Sequence, residues 1–437
     1  MKEIFEYPLK QCIGQNAVSI VSEGDKVTRG QLIAKKEDNS LGVNIYTSVS
    51  GVIQKITDNS VFVIADEQQT SDYVKLKGKD ALELIEEAGI VGLGGAGFPT
   101  YAKLSKPFEK DGVVIVNAAE CEPILSHNIR RIEERPDELL RGLEIVMDVV
   151  HAATGVIAIK KKHKKAIDKL NEENKRENIS LHLLEDMYPM GEERAIVREV
   201  LGIRLGVDKL PMEANAIVIN AETVVRIKQA VDDKKPLIDK DITVAGKIRD
   251  NPQDKLIQTF LDVPLGRTAG NMFELAGGLA DTYGELIMGG PFTGKRTQDT
   301  SPIVKTTGGL IAAECFPKGP EKLGLLVCAC GAGEERLREI AESLGSQVVG
   351  VEFCKQAIAI KGTRKCENPG RCPGQVQKIL ALKKQGAQAV LISNCTDCSN
   401  TVMSCAPQLG LPVYHCCDGS LRAVNQKIIR KMKSKEE

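Results

Sequence analysis

The sequence predicts a multidomain α/β protein, and three features carry that expectation. Short alternating runs broken by glycine turns fill the first stretch, as in "EGDKVTRGQLIAKK" and "GVNIYTSVSGVIQKITDNSVFVIAD". From Lys79 helical and buried-strand patterns take turns, and such alternation implies a parallel sheet covered by helices. The alternation resumes at Lys322, and ten of the thirteen cysteines lie there, from Cys328 onward. A chain of 437 residues has room for about three or four domains of ordinary size.

Each segment has its own reason. Period-2 runs at close spacing make the N-terminal stretch a small all-β unit. "DALELIEEAGI" reads as a helix, "GVVIVNAAE" as a buried strand and "PDELLRGLEIVMDVVHAATG" as a helix stopped by glycine. "GVIAIK" and "KKAIDKLNEENK" repeat the strand–helix pair. Near Asp241 strand character returns in "DITVAGKI". A short helix, a strand and a glycine-rich turn follow in "NMFELAGGLADTYGELIMGGPFTG". In the tail "LGLLV", "QVVGVEF" and "AVLIS" are strands, each running into cysteine. The expected units are residues 1–75, 76–235, 236–310 and 311–437.

Composition narrows the function. Lys plus Arg and Asp plus Glu both number 59, so no net field draws the chain to nucleic acid or an anionic membrane. The run "KKKHKK" lacks interleaved aromatics and reads as a solvated face rather than a nucleic-acid contact. No segment approaches the roughly 18 apolar residues of a spanning helix. The start "MKEIFEYPLK" carries charge where a signal peptide needs an apolar run, so a cytoplasmic location is expected. Disulfides are disfavoured in that compartment, and thirteen cysteines then point to metal ligands or redox-active thiols.

The stretch "GIVGLGGAGFPTYAKL" places five glycines in the nine residues from Gly89 to Gly97. Gly92, Gly94 and Gly97 satisfy G-x-G-x-x-G, but a helix rather than a buried strand precedes them, so the dinucleotide context is missing. The physics remains: successive glycines expose backbone N–H groups, a helix start follows, and Lys103 adds a point charge. Together these make a phosphate cradle. The plainer reading, a slack hinge, sits badly with Pro99 and the neighbouring aromatics.

"GLGGAGFPTYAKL", "NAAECEPILSHN", "YPMGEERAI" and "INAET" follow one another in that order. Over about two thirds of the chain they resemble the flavin-binding subunit of respiratory NADH dehydrogenases and, more closely, the RnfC subunit of the Rnf electron-transfer complex. The resemblance implies an N-terminal barrel-sandwich hybrid, here without the hairpin lysine of lipoyl-like domains and hence a structural or docking unit. It further implies a Rossmann-like FMN/NADH-binding α/β domain, a β-grasp (SLBB) domain around "GGPFTG", and then a cysteine-rich α/β domain. Carried over, Gly92, Gly94, Gly95, Gly97 and Lys103 hold the FMN phosphate and ribityl chain. Asn117, Glu120 and Glu122 follow the strand "GVVIV", where a parallel sheet offers its ligand crevice. Gly191 and Glu192 match the nucleotide-side loop, and Asn220 and Glu222 a later flavin-side segment. Each glutamate alone is more simply a helix cap or surface charge; as an ordered set they read as ligands. Where the relatives carry acidic residues after "ECEP", this chain has His127 and Asn128, which bears on the nucleotide contacts.

RnfC itself runs on into C-x-x-C-x-x-C-x-x-x-C-P ferredoxin repeats, which are absent here. Instead Cys328 and Cys330, Cys354, Cys395 and Cys398, and Cys416 and Cys417 follow strands, and a parallel sheet gathers such positions on one edge. Cys366 and Cys372, in "CENPGRCPGQ", can join them. Plain packing explains single cysteines but explains so many on one edge poorly. An iron–sulfur cluster needs about four thiolates, whereas a dithiol relay needs one close pair such as Cys395-x-x-Cys398. Zinc comes third among the redox and metal readings, because no histidine pair accompanies the cysteines.

"GAQAVLISNCTDCSN" resembles the small iron–sulfur subunit of methyl-viologen-reducing hydrogenases, which puts a cluster ahead of a relay. Cys354, Cys366, Cys372, Cys395, Cys398 and Cys405 are then the candidate iron–sulfur ligands, and Cys328, Cys330, Cys395 and Cys398 the redox candidates. The whole order resembles the proline-reductase-associated electron-transfer proteins. Some of these carry selenocysteine in the tail, for which Cys330 is the expected position. The resemblance implies a soluble flavoprotein that oxidises NADH through FMN and passes electrons to a protein acceptor, D-proline reductase. It needs no side chain as general acid or base, and association with a membrane complex stays open. The alternative is a docking adaptor that has lost flavin.

Overall fold

The computed structural model describes residues 2–250, 255–360 and 362–427. The last ten residues of the expected 311–437 unit thus lie outside the described residues. No helix among the described residues is long and apolar enough to cross a membrane.

The N-terminal strands are β1 (Ile4–Pro8), β2 (Val18–Ser19), β3 (Lys26–Val27), β4 (Leu32–Lys35), β5 (Ile45–Tyr46), β6 (Gly51–Ile56) and β7 (Ser60–Ala65). They pair antiparallel in two small sheets, β1-β7-β6-β3 and β2-β4-β5. Inward-facing Phe5, Tyr7, Ile33, Ile45, Ile53 and Val63 fill one core between them.

The second unit runs α1 (Ala81–Glu87), α2 (Thr100–Leu104), β8 (Gly112–Ala118), α3 (His127–Glu134), α4 (Pro136–Val150), β9 (Ala152–Lys160), α5 (Lys164–Glu173), β10 (Ile179–Leu184), α6 (Glu193–Leu201), β11 (Ala216–Asn220) and α7 (Ala221–Val231). Its strands are parallel in the order β10-β9-β8-β11. Central β8 is apolar on both faces, as a strand covered by helices on both sides must be. Helix α4 starts with Pro136, Asp137 and Glu138 in its first turn, and ends on His151 in the left-handed region; both ends suit the helix dipole and backbone. Gly142 lets α4 press on α7, since a Cβ there would lie 2.2 Å from the Val224 carbonyl oxygen. Strand order reverses between β8 and β11, and the crevice outside their carboxyl ends is where such sheets take ligands.

A mixed sheet follows, from β12 (Asp239–Gly246), β13 (Ile257–Pro264), β14 (Tyr283–Met288), β15 (Lys295–Thr297) and β16 (Gly309–Glu314), with α8 (Ala269–Leu275) between β13 and β14. The order is β13-β12-β16-β14-β15, with β12 and β16 parallel. Buried charge fastens it to the second unit. Asp241 on β12 accepts from Arg131 of α3 at 2.7 and 2.8 Å and from Arg226 of α7 at 2.8 Å.

The tail consists of β17 (Lys322–Val327), α9 (Glu334–Ser343), β18 (Gln347–Phe353), the hairpin β19 (Ala357–Ile360) and β20 (Thr363–Cys366), α10 (Val376–Lys384), β21 (Ala389–Ile392), α11 (Thr396–Cys405), β22 (Val413–His415) and α12 (Asp418–Ala423). Its parallel sheet has the order β18-β17-β21-β22, and the order reverses between β17 and β21. Helix α12 lies on β16 so closely that a Cβ at Gly419 would be 2.8 Å from the Glu314 carbonyl oxygen. The tail is therefore packed on the mixed sheet.

Candidate functional site

The glycine loop lies beside the switch point of the first parallel sheet. A bridge between Val91 and Pro99 closes its neck, and the Gly92 amide donates to the Phe98 carbonyl at 2.9 Å. Gly94, Gly95 and Ala96 form an exposed tip. A Cβ at Gly94 would be 2.3 Å from the Asn220 amide nitrogen, so that position admits only glycine while Asn220 stays where it is. Asn220 in turn caps α7, its Oδ1 accepting from the amides of Glu222 and Thr223 at 2.9 and 3.3 Å. The positive end of the α7 dipole thus faces the loop.

The other loop glycines differ. Gly95 has open space around it, and at Gly92 the nearest atom to a Cβ would be 3.8 Å away. Gly97 is buried with φ of +73°, and a Cβ there would meet Thr306 at 3.1 Å. Left-handed backbone and packing against residue 306 account for that glycine, rather than close approach to a phosphate.

Lys103, in the last turn of α2, donates to the Val218 carbonyl and to Glu193, both at 2.6 Å, which sets its charge at the crevice between β11 and α6. Asn117 is the penultimate residue of β8; its side-chain amide donates to the Gly191 carbonyl at 2.9 Å, tying the β8 end to the loop before α6. Gly191 packs where a Cβ would be 2.8 Å from Cys121 Cβ, and its amide donates to Cys121 Sγ at 3.1 Å. Burial pushes the Cys121 thiol up to about 11, so at neutral pH it is a packed thiol.

The glutamates are engaged within the protein. Glu120 accepts from the Asn128 amide at 2.8 Å and from its side chain at 3.3 Å, so the residue that departs from the relatives' pattern holds this carboxylate. Glu122 clamps the turn after β14, accepting from the amides of Phe292 and Thr293 at 2.8 and 3.0 Å and from the Thr293 hydroxyl at 2.6 Å. Burial raises its pKa, against the pull of those three donors. Glu192 is the N-cap of α6, accepting from the amides of Arg194 and Ala195 at 2.8 and 3.0 Å. Glu222 is corrected outright: it is 2% exposed, held by Lys240, by Arg226 and by the Asp241 amide, and belongs to the buried ionic group under β12. Its place beside Asn220 in sequence hides that α7 turns it away, a helix carrying successive residues to different faces.

The second concentration of chemistry is at the switch point of the tail sheet. Cys328, Cys330, Cys354, Cys366, Cys372, Cys395 and Cys398 line one cavity with a free volume of about 10 Å³. Strand ends supply Cys328 and Cys330 after β17 and Cys354 after β18; Cys395 caps α11 and Cys398 lies in its first turn. Cys366 comes from the hairpin and Cys372 from the loop before α10. Cys328, Cys354, Cys366, Cys395 and Cys398 are buried, whereas Cys330 and Cys372 are partly exposed at the rim. Gln375 donates to Cys354 and Cys372 at 3.1 and 3.3 Å and braces one wall. Thiol hydrogen bonds from Cys330 and Cys354 hold Cys328 well below the usual thiol range. Burial, and then that neighbouring charge, push Cys395 and Cys398 up. No three Cys, His, Asp or Glu among the described residues have the spacing of a single-ion site.

Three of the tail's cysteines fall outside that ring. Cys405 sits at the far end of α11, about 13 Å along the helix axis from its start, and donates to the Val402 carbonyl at 3.5 Å. It is withdrawn as a ligand. Cys416 turns to the Ser393 carbonyl at 3.3 Å, and neither it nor Cys417 lines the cavity.

Loop and cavity are joined by residues 186–191. Tyr188 donates through its hydroxyl to the Cys330 carbonyl, and its backbone exchanges hydrogen bonds with Thr396 at 2.9 and 3.1 Å. Arg198 of α6 donates to Asn368 and to the Pro369 carbonyl at 2.9 and 2.8 Å, next to Cys366. Sequence reasoning passed over Tyr188, Gln375 and Lys305. The first two lie inside "YPMGEERAI" and "CPGQ", but nothing local marks Lys305. Its buried amine, lowered to about 7 by burial, donates to the carbonyls of Asn44 and Gly89 at 2.7 Å each and supports the root of the glycine loop.

Residues 85–229 match the Nuo51 FMN-binding domain and residues 1–71 the RnfC barrel sandwich hybrid domain. The RnfC-type subunit of the proton-translocating ferredoxin:NAD(+) oxidoreductase complex of Clostridium ljungdahlii is 30% identical over 323 residues, 70% of this chain and 69% of its own. The chain belongs to the RnfC-like subunit family. This RnfC-like chain is also 35% identical over 239 residues to the cobalamin reductase PduS of Salmonella typhimurium, covering 54% of itself but 51% of that relative. Among solved structures, an air-oxidised NAD+-reducing [NiFe]-hydrogenase shares 20% identity over 53% of this chain and 46% of its own, at a TM-score of 0.45, too loose a likeness to bear on function. The RnfC-like chain is thus a flavoprotein of the electron-transport oxidoreductases with an FMN-binding domain. The exposed glycine tip, the capped α7 start and the Lys103 charge fit a phosphate-bearing flavin.

Proposed function

We propose that the RnfC-like chain oxidises NADH at FMN and passes the electrons through the thiol cavity to a protein acceptor, D-proline reductase. FMN when bound supplies the hydride acceptance and one- or two-electron chemistry. The residues offered for its phosphate and ribityl chain are Gly92, Gly94, Gly95, Lys103, Asn117 and Asn220, with Gly97 setting the loop. Gly191, which the Asn117 side chain holds, is offered for the nucleotide side. Of the five buried thiols, Cys328, Cys354, Cys395 and Cys398 come from the sheet's strand ends and the start of α11, and these four, the number an iron–sulfur cluster takes, are the ligands we assign. The mixed sheet is read as the SLBB unit; the boundaries 75 and 235 fall in loops between sheets, whereas 310 cuts β16 (Gly309–Glu314), so this unit is drawn on to residue 314.

The observation that carries this reading is the joint itself. A single loop connects the β8 edge of the FMN-binding domain, through Asn117 and Gly191, to the cavity, through Tyr188 and Cys330. An adaptor without flavin has no use for a ring of seven thiols packed there. The test is an absorbance spectrum of anaerobically purified protein reconstituted with FMN, taken before and after NADH. A flavin spectrum bleached by NADH, over a residual broad brown absorbance, is expected. A colourless protein indifferent to NADH leaves the adaptor.

A further inference from the structure

We propose that Lys305 is a positioning residue for the flavin: its buried amine, reaching over from the mixed sheet, fixes the root of the glycine loop in the shape that receives FMN. The inference rests on the reading that FMN is held by this loop. Lys305 lies in the connection from β15 to β16 and is 1% exposed. Its amine donates at 2.7 Å to each of two carbonyls, that of Asn44 just before β5 and that of Gly89 just after α1. No carboxylate among the described residues pairs with it. A buried amine without a counter-ion is costly, and a lysine kept in such a place calls for a reason beyond packing.

The reason lies in the backbone that it holds. A helix leaves its last carbonyls without partners of its own. Past α1, the four carbonyls from Glu87 to Ile90 are each taken by another part of the chain. Glu87 accepts from the Asn44 side chain at 3.1 Å and from the Tyr46 hydroxyl. Ala88 accepts from the Leu237 amide and Ile90 from the Thr100 amide, both at 3.0 Å. Gly89 alone relies on a single side chain among the described residues, and that side chain is Lys305. The fit is close. Gly89 has φ of +69°, and a Cβ there would be 2.3 Å from the Asn44 carbonyl oxygen and 2.8 Å from the Lys305 amine.

The next residue serves the other root of the loop. A Cβ at Gly97 would lie 3.1 Å from the Thr306 methyl, and the Gly97 carbonyl accepts from the Ile13 amide at 3.0 Å. The Lys305 amide in turn donates to the Gln11 side chain at 3.2 Å. Mixed sheet and N-terminal unit thus grip the loop at Gly89 and Gly97 and leave its tip, Gly94 to Ala96, exposed for a ligand. A loop already fixed binds without first being ordered. Lys305 acts through that loop, and its removal should be read in FMN affinity.

The test is fluorescence titration of the flavin-free full chain with FMN. Lys305→Ala removes the amine and the three carbons beneath it, and should weaken binding about tenfold or more. Added n-propylamine, which replaces what was removed, should restore most of that loss; propan-1-ol, of the same length without the amine, should not. Lys305→Met keeps the length and should bind as weakly as Lys305→Ala. Lys295→Met, on exposed β15 of the same sheet, should bind like the unaltered chain. Full affinity in Lys305→Met, equal rescue by propan-1-ol, or loss of the fold in both Lys305 variants overturns the inference, because the site then needs bulk and not an amine. Bleaching by NADH is read on the same samples. Bleaching with full affinity in Lys305→Met sinks the positioning role and leaves the NADH reading; affinity that follows the amine without bleaching does the reverse. A full chain that takes up no FMN overturns both.

Discussion

The molecule repeats one topological device with opposite chemistry. Both parallel sheets reverse strand order, between β8 and β11 in the first and between β17 and β21 in the second, and both gather their chemistry outside that point. At the first, what is offered is backbone and dipole: an exposed glycine tip, a capped helix start and a single lysine. At the second it is side-chain sulfur, seven thiols around one small cavity. A polar phosphate-bearing group is best met by fixed N–H donors open to water. Soft metal or sulfur chemistry is best met by thiolates shielded from it. The fold supplies the location, and residue type decides what is done there.

The largest effect separates the two ends of α11. Cys395→Ala and Cys398→Ala should each strip most of the iron from anaerobically reconstituted protein, while Cys405→Ala, at the other end of α11, keeps it. Iron per chain and the broad visible absorbance are the readouts. Equal loss in Cys405→Ala would mean that α11 does not divide the cysteines as described.

Next in size is the loop. Gly94→Val forces a Cβ into the Asn220 side chain and should weaken FMN binding at least about tenfold, or about 1.4 kcal/mol. Cluster absorbance should not change, because the two switch points share no residue. Fluorescence titration with FMN measures it, and undiminished affinity would remove Asn220 and the tip from the flavin site.

Much of this was legible in the chain because it depends on local pattern. Alternation gave both parallel sheets, and cysteines directly after apolar runs gave the crowded edge. What stayed hidden depends on partners far away in sequence. Whether a glutamate faces a ligand or a neighbour is decided by Phe292 and Thr293 for Glu122, by Asn128 for Glu120 and by Lys240 for Glu222. The reason for Gly97 lies in its left-handed backbone and in Thr306, more than 200 residues away. The hairpin that brings Cys366 to the cavity left no sign in "AIAIKGTRKC" beyond one glycine, since its exposed faces need no apolar stripe.

Acid should part the two regions by a smaller margin. Burial alone would raise Asp241, but Arg226 and Arg131 outweigh it and hold the carboxyl at about 2, against an ordinary 3.8. A depressed carboxylate contributes stability that is present above its unfolded value and lost as pH falls through the folded one. The contribution is about 2 kcal/mol, draining between about pH 4 and pH 2. Because Asp241 fastens α3 and α7 to β12, FMN release should lead the loss of cavity absorbance as pH falls. Asp241→Asn should flatten that pH dependence, measured by flavin fluorescence and thermal midpoint at pH 3 and pH 6.

The smallest effect is the sharpest test of the glutamates. Glu122 spends both oxygens on the turn at Phe292 and Thr293, and Gly290 is pressed so close that a Cβ would be 2.4 Å from its carboxyl carbon. Glutamine keeps the shape and one acceptor, so Glu122→Gln should cost about 1 kcal/mol of stability. The KM for NADH should stay within about twofold, since a clamp between units binds no nucleotide. A tenfold rise in KM with an unmoved thermal midpoint would reverse the assignment. The carboxylate would then leave the turn to meet the nucleotide, and the clamp would be its resting position.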